Sequence, residues 1–456
     1  MEPILTVQAD RIPRAYLAGV NTGKDRESYD ATMKELEDLA KALGFEVAGI
    51  LIQNTDTLTQ RTYLGSGKVL ELRDLVEREA ADIVFFNEAL SPMQVRNLED
   101  LLDTEVMDRT GLILQIFSTR ARTREAKLQV ESARLQYLLP RLAHMRTGLS
   151  RQGGGSGRLS NKGAGEEQLE LDRRHIEHRI ADLRRQLEQM EKERGTQRAR
   201  RLNSGLPLVA LVGYTNAGKS TVLNRLLLQQ ENARKGNTTA ADSTRTGESV
   251  PEKLVFEKDM LFATLDTSVR RIEPDGMRPF LLSDTVGFIR DLPHALVKAF
   301  RSTLEEVRFA DLLVEVVDCS DPSFQEHIAV TERTLSEIGA GEVPVLQVFN
   351  KCDLAGIPFP KETKDRVYVS MRPGTPDAEG AAAESCALLL DAIGRMLAGD
   401  GKERTFLIPY EKAGVYSRLT QKYTIRRTEY PADGIEVVIF CSDAEAAAID
   451  ALISRN

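Results

Sequence analysis

Leu206-Pro207-Leu208-Val209-Ala210-Leu211-Val212-Gly213-Tyr214-Thr215-Asn216-Ala217-Gly218-Lys219-Ser220-Thr221 is an apolar run that ends in a Gly-x4-Gly-Lys-Ser loop. The run predicts a buried strand over 206–212, and the residues after the loop predict a helix. Glycine is needed at both ends of such a loop because the backbone must turn its amides inward around phosphate oxygens, to which the helix adds its positive end. The pattern assigns Gly213, Tyr214, Thr215, Asn216, Ala217, Gly218, Lys219, Ser220 and Thr221 to nucleotide binding. Lys219 neutralises the β- and γ-phosphates, and Ser220 is a ligand for Mg2+.

Three further words follow in the order that a nucleotide switch requires. Thr264, in Leu261-Phe262-Ala263-Thr264, is placed to complete the magnesium shell when a triphosphate is bound. Asp284-Thr285-Val286-Gly287 puts a carboxylate at the end of an apolar strand, where it holds magnesium through water, and a glycine amide beside the γ-phosphate. Lys219, Thr264 and Gly287 are therefore the candidate catalytic residues, and Ser220, Thr264 and Asp284 the candidate metal set. Asn350-Lys351-Cys352-Asp353 reads the base: Asp353 accepts two hydrogen bonds that guanine donates and adenine cannot. Ser370 and Met371 end a later strand and add backbone contacts to the base. Many switches of this kind carry a water-orienting glutamine after the glycine; here Phe288 follows, so hydrolysis is expected to be slow without outside help.

Working outward, strands at 280–282, 312–317, 343–349 and 366–369 with helices between predict a doubly wound sheet over 203–399, with an antiparallel edge strand turned at Pro274-Asp275-Gly276-Met277. Residues 1–110 alternate strands (14–20, 45–52, 83–86, near Val106) with helices (28–43, 68–79, from Ser91-Pro92 to Leu102), a small parallel α/β domain. Residues 111–202 read as a long antiparallel helical hairpin. Its seams are Leu128, Leu135, Leu138, Leu142 and then Leu169, Ile176, Ile180, Leu183, Leu187, Met190, and its tip is a glycine-rich stretch over 147–165 that cannot pack. Residues 400–456 form a small α+β domain, with strands at 406–408, 423–427 and 435–440 and a helix from Glu411. The fold class is α/β overall.

The chain's 456 residues carry a formal charge of -8 with 41% hydrophobic residues, as in an ordinary soluble protein. That average hides residues 118–165, where ten Lys or Arg face two Glu. Such density beside glycines suits RNA phosphate, with Arg146, Arg151, Arg158 and Lys162 at the tip as candidate contacts; a solvated helix face with a linker is the plainer alternative. No apolar run reaches a membrane-spanning length, and Met1-Glu2-Pro3 does not open a basic and apolar leader, so a cytoplasmic location is expected; separately, the chain is taken to be a monomer. Cys319, Cys352, Cys386 and Cys441 are widely spaced and read as thiols. Tyr63-Leu64-Gly65-Ser66-Gly67-Lys68 is half of a phosphate loop; a turn and helix start is preferred there over a second nucleotide site. The histidines form no metal spacing, and His175 and His178 read as solvent-exposed.

On these words the chain resembles the HflX family of ribosome-associated, translation-factor-related GTPases. Gln8-Ala9-Asp10, Tyr63-Leu64-Gly65, Leu90-Ser91-Pro92, Arg96-Asn97-Leu98-Glu99, Glu125 to Glu131, Arg151-Gln152-Gly153-Gly154 and Val212 to Gly218 carry the likeness. The resemblance implies GTP and GDP as ligands, magnesium, binding to the large ribosomal subunit and its RNA, a tip that reaches toward the peptidyl transferase centre, and a role in splitting or rescuing stalled ribosomes. It also suggests ATP-linked RNA remodelling by the first domain. A nucleotide-gated RNA-binding or ribosome-assembly module without splitting activity stays open as the rival. Three departures stand out: a longer, more polar segment over 231–258, Asp266-Thr267-Ser268 in place of Asp-Pro-Thr, and Met371-Arg372 in place of the usual Ala-Lys.

Overall fold

The computed structural model describes residues 11–145, 161–203, 206–236, 262, 268–290 and 306–454, apart from positions 24, 275–276, 365, 373–375, 399–401, 424 and 442. It divides into two compact units: Met1–Glu193 with Asp259–Asp266 and Asp291–Arg301, and Arg194–Lys258 with Thr267–Arg290 and Ser302–Asn456.

In the first unit a parallel sheet has the order β2-β1-β3-β4, formed by β1 (Arg14–Asn21), β2 (Glu46–Asn54), β3 (Ile83–Phe86) and β4 (Glu105–Asp108). All four residues of β3 are buried, as an unbroken Ile-Val-Phe-Phe run requires of a strand covered on both faces. Helices α1 (Arg26–Ala42), α2 (Ser66–Glu79) and α3 (Pro92–Leu102) connect the strands. Ser91 starts α3 with a capping box: its hydroxyl accepts from the Gln94 amide and the Gln94 side chain accepts from the Ser91 amide.

The first arm of the helical hairpin expected from 111 onward is two helices, α4 (Arg109–Arg120) and α5 (Arg124–Met145). Residues Gly111 to Phe117 of α4 are buried all round, so α4 belongs to the α/β core and not to the hairpin. Ala121 is extended, and the Thr123 hydroxyl then accepts from the Ala126 amide to restart the chain as α5. The next helix is α6 (Asn161–Asn203). Ile180 and Leu183 are buried in the unit with Leu128, Val130 and Ala133, and the Arg179 guanidinium forks onto both oxygens of Glu131 at 2.8 and 3.1 Å. His175 and His178 are exposed. The tip residues Arg146, Arg151 and Arg158 lie outside the described residues, and Lys162 is described only as part of α6. Part of the cationic stretch is already engaged: Arg141 donates to Asp108 and to the Leu90 carbonyl, so fewer charges face solvent than the sequence count suggests.

The second unit holds a seven-stranded sheet ordered β10-β11-β9-β8-β5-β7-β6. Its strands are β5 (Leu208–Val212), β6 (Ser268–Ile272), β7 (Phe280–Asp284), β8 (Leu312–Asp318), β9 (Val345–Asn350), β10 (Lys361–Thr363) and β11 (Arg366–Tyr368), with helices α7 (Lys219–Gly236), α8 (Phe324–Glu337), α9 (Cys352–Ala355) and α10 (Pro376–Ala398). The five inner strands are parallel. Strand β6 is the expected antiparallel edge. On the other edge β10 is an addition; its three residues, Lys-Glu-Thr, are all exposed and carry no apolar signal. From β5 the chain passes through β6 and β7 on one side of the sheet and continues with β8 on the other, so the carboxyl end of β5 is the topological switch point where such sheets bind ligands.

A three-stranded antiparallel sheet, β12 (Lys402–Ile408), β14 (Ile435–Cys441) and β13 (Ile425–Glu429) in that spatial order, packs on α11 (Ala413–Lys422) and on a terminal helix, α12 (Asp443–Ser454). The sequence reading stopped short of α12, whose alanine-rich stretch buries Ala446 and Ile449. Among the described residues no helix is long and apolar enough to cross a membrane.

Candidate functional site

The loop after β5 has the backbone that its glycines allow and other residues would not. Gly213 sits at φ +136° and Gly218 at +96°. A Cβ on Gly213 would stand 2.3 Å from the Val316 carbonyl oxygen, and one on Gly218 would stand 2.4 Å from the Asn350 amide nitrogen. Between them the loop turns and feeds α7. Lys219 is buried, and its Nζ donates to the carbonyls of Gly213 and Tyr214 at 3.0 and 2.7 Å, so its ammonium is held within the loop it closes. Burial pushes this lysine down to about 8, against the opposing pull of the Asp284 carboxylate.

Asp284 ends β7 fully buried, and the Ser220 hydroxyl donates to it at 2.8 Å. A hydroxyl and a carboxylate in contact, next to a phosphate loop, are the all-oxygen donors that a small hard cation takes, so these residues fit Mg2+. Thr264, the third member of the predicted set, lies outside the described residues. Its near neighbour Phe262 is buried and packs edge-on against Phe117, ring centroids 4.6 Å apart, within the first unit.

Gly287 passes so close to the loop that a Cβ would lie 2.9 Å from Thr215 Cα and 3.0 Å from Lys219 Nζ. Phe288 then pairs with the loop itself: its amide donates to the Gly213 carbonyl at 3.1 Å, and its carbonyl accepts from the Thr215 amide at 2.8 Å. Its ring is buried. Tyr214 stacks on His327 with centroids 3.8 Å apart, and its hydroxyl accepts from the Arg290 amide.

At the other end, Asn350 is buried and joins two loops. Its Nδ2 donates to the Ala217 carbonyl at 3.0 Å, and its Oδ1 accepts from the Met371 amide at 3.3 Å. Lys351 adopts a left-handed backbone and its Nζ reaches Asp318 at 2.7 Å. Asp353 accepts from the Ser370 hydroxyl at 2.7 Å, and Arg372 lies 3.5 Å from its other oxygen. The fold thus gathers Gly213 to Thr221, Asp284, Gly287, Asn350, Lys351, Asp353, Ser370 and Met371 along the carboxyl edge of one sheet. Sequence reading missed Asp318 and the pairing of Arg372 with Asp353. Asp318 had a signal in the sequence, a carboxylate closing the apolar run 312–317, but only the sheet shows that it lies in register with Asn350. Arg372 was noted only as a departure from pattern.

In the first unit, residues 65–68 do not form a phosphate cradle. The Gly65 amide is taken by the Gln53 side chain at 2.9 Å and Lys68 pairs with Glu71 one turn on, as a turn and helix start would have it.

A Rossmann-type sheet with a glycine loop, a hydroxyl hydrogen-bonded to a buried carboxylate and an Asn-Lys-x-Asp corner defines a P-loop GTPase. Three family models match: the GTP-binding GTPase N-terminal domain over 30–118, the GTP-binding GTPase middle region over 120–201, and a 50S ribosome-binding GTPase domain over 208–351. GTPase HflX of Caldanaerobacter subterraneus subsp. tengcongensis is 42% identical over 426 residues, 93% of this chain and 90% of the relative. GTPase HflX of Escherichia coli K12 is 38% identical over 427 residues, 92% of this chain and 91% of the relative. The chain belongs to the HflX GTPase family. A solved GTP-binding protein of Sulfolobus solfataricus in complex with GDP is 22% identical, with a TM-score of 0.40 over 84% of this chain and 98% of that one, a likeness too low to carry the assignment.

Proposed function

We propose that this GTPase binds the large ribosomal subunit and uses its nucleotide state to time ribosome splitting or rescue. The observation that carries the reading is Asn350: one side chain bonds both the phosphate loop at Ala217 and the base loop at Met371, so the two ends of a guanine nucleotide are gripped by one connected frame. In this reading the amides from Tyr214 to Thr221 cradle the phosphates, and Lys219 exchanges its loop carbonyls for the β- and γ-oxygens. Gly287 offers its amide to the γ-phosphate, and Asp353 reads guanine. Ser220 and Asp284, with Thr264, would hold Mg2+, which neutralises charge on the phosphates when bound.

Phe288 supplies no group to orient water, so turnover is slow in isolation and rises when the ribosome orders the site. The 50S ribosome-binding family model over 208–351 and the basic tip with Arg146, Arg151, Arg158 and Lys162 support the large subunit as partner. For truncation, the first cut falls after Arg120 and not at 110, because α4 packs into the α/β core, and the limits 203–399 and 400–456 are kept. Sedimentation of ribosomes with GTP, a non-hydrolysable analogue or ATP tests the proposal. Splitting with the analogue and not with ATP supports it; splitting with ATP alone moves the activity to the first domain, and no splitting under any condition leaves the RNA-binding rival.

A further inference from the structure

Two cysteines from distant parts of the chain meet under the base-reading corner. Cys319 follows β8 and Cys352 sits inside Asn350-Lys351-Cys352-Asp353, with their sulfurs 3.5 Å apart. Each is also anchored to backbone just before Lys351: Cys319 Sγ donates to the Asn350 carbonyl at 2.9 Å and Cys352 Sγ to the Phe349 carbonyl at 3.2 Å. Cys352 is buried, whereas Cys319 is only half-buried and lines a cavity of about 430 Å³ that opens to solvent. Phe324, Ile328, Phe349 and Tyr368 wall that cavity and Arg366 stands at it, so a small neutral oxidant has an apolar approach to one sulfur and not to the other. Neither thiol has a part in nucleotide chemistry.

We infer that Cys319 and Cys352 form a modification site for a peroxide-class oxidant, which joins them in a disulfide that loosens guanine-nucleotide binding. The Cys319 thiolate attacks one peroxide oxygen, the O–O bond breaks, and hydroxide or alkoxide leaves with the proton that the thiol gave up. Cys352 then attacks the sulfur of the resulting sulfenic acid; an S–S bond forms, the S–O bond breaks and water leaves. Two thiols lose two electrons and the peroxide gains two. The hydrogen bond between the two sulfurs pushes the Cys319 thiol up and the Cys352 thiol down from their ordinary values, and burial adds to the rise at Cys319, so attack by Cys319 is slow and requires excess oxidant.

A disulfide sulfur pair stands about 2.05 Å apart, so the two sulfurs must close by roughly 1.5 Å. Both hydrogen bonds to the Phe349 and Asn350 carbonyls are broken on oxidation, and the pull falls on the residue between Lys351 and Asp353. Weakening one charge-assisted contact to the base costs roughly tenfold in affinity. The inference rests on the guanine site and is independent of any ribosomal role.

The test treats the full chain with excess hydrogen peroxide, maps disulfides by non-reducing peptide mass spectrometry, and titrates fluorescent GDP before and after, then again after dithiothreitol. A linked Cys319–Cys352 peptide with about tenfold weaker binding that dithiothreitol restores is the expected result. Cys319→Ser should bind GDP as the parent does and lose the response, while Cys386→Ser and Cys441→Ser keep it. Absence of the linked peptide, or separate sulfinic acids on the two residues, overturns the site. A linked peptide with unchanged GDP affinity overturns the coupling. Failure of the reduced parent to bind GDP would instead refute the nucleotide site itself.

Discussion

Replacing Asp353 by asparagine should move the nucleotide preference from guanine toward xanthine. In the fold, Asp353 Oδ1 accepts from the Ser370 hydroxyl at 2.7 Å, which orients the carboxylate and leaves Oδ2 toward the Arg372 side. Asparagine can keep the Ser370 bond with its own oxygen, so its amide nitrogen takes the place of Oδ2 and presents a donor where guanine also donates. One charge-assisted hydrogen bond at roughly 1.5–3 kcal/mol is replaced by a donor facing a donor, which weakens guanine nucleotides by at least about 10- to 10²-fold. Xanthine carries an acceptor at the same ring position and recovers the pair. The pairing of Arg372 with Asp353 also goes, but Arg372 is largely exposed and this contributes little. Competition of GDP and xanthosine diphosphate against a fluorescent nucleotide gives the ratio of affinities, with thermal melting as the check on folding. A folded variant that still binds GDP within threefold of the parent would refute the assignment of Asp353 to the base.

Gly287→Ala should keep GDP binding but lose the preference for a triphosphate analogue, because its Cβ would press on Thr215 and Lys219; comparing the two affinities by calorimetry checks this. Glu315, buried on β8, accepts from Gln347 through one oxygen and has no partner on the other, and burial pushes its pKa up to about 7. A carboxyl raised in the folded state stabilises it below the ordinary value near 4.5 and costs stability as pH rises toward about 7, so Glu315→Gln should stabilise by roughly 2–3 kcal/mol at pH 8 and by little at pH 5 in paired denaturant melts. Arg151→Ala with Arg158→Ala should weaken binding to the large subunit and reduce its salt slope by about one for each phosphate that is no longer neutralised, with basal hydrolysis unchanged; equal slopes in co-sedimentation would remove the tip from the interface. Phe288→Gln should leave basal turnover within about threefold while lowering stability by about 2–4 kcal/mol, since a buried ring is replaced by an amide; a large rise in turnover would show that position 288 reaches the water after all.

The parts of this fold that the sequence disclosed are those where one residue type has only one physical use. Glycines 213 and 218 could be read because their backbone angles and close approaches admit nothing larger, and β3 because a four-residue Ile-Val-Phe-Phe run must be covered on both faces. Some of the words that carry the family likeness are joints: Asn97 donates to the Arg61 carbonyl and Glu99 accepts from the Val106 amide, which ties α3 to its neighbours. What escaped the reading depends on the meeting of distant segments. The break after Arg120 was invisible because helical periodicity continues across it, and only the burial of α4 distinguishes core from hairpin. Strand β10 has no apolar residue to announce it. The approach of Cys319 to Cys352 follows from the pairing of β8 with β9, which spacing in the chain does not reveal.

Phe288 bears on how a partner can accelerate such a site. Its backbone bonds to Gly213 and Thr215 fix the start of the segment after Gly287 against the phosphate loop, and its ring is spent on the interior, so no side chain at this position is available to a water molecule. The binding determinants are cross-braced in the same way: Ser220 to Asp284, Asn350 to Ala217 and Met371, Asp353 to Ser370. A frame braced at both ends leaves a stimulating partner little to improve in affinity. What remains is the group that orients the attacking water, supplied from another part of the chain or from the partner. Stimulation by ribosomes is therefore expected to act on kcat far more than on KM, because an interaction made only as the γ-phosphoryl leaves lowers the barrier without tightening the ground state.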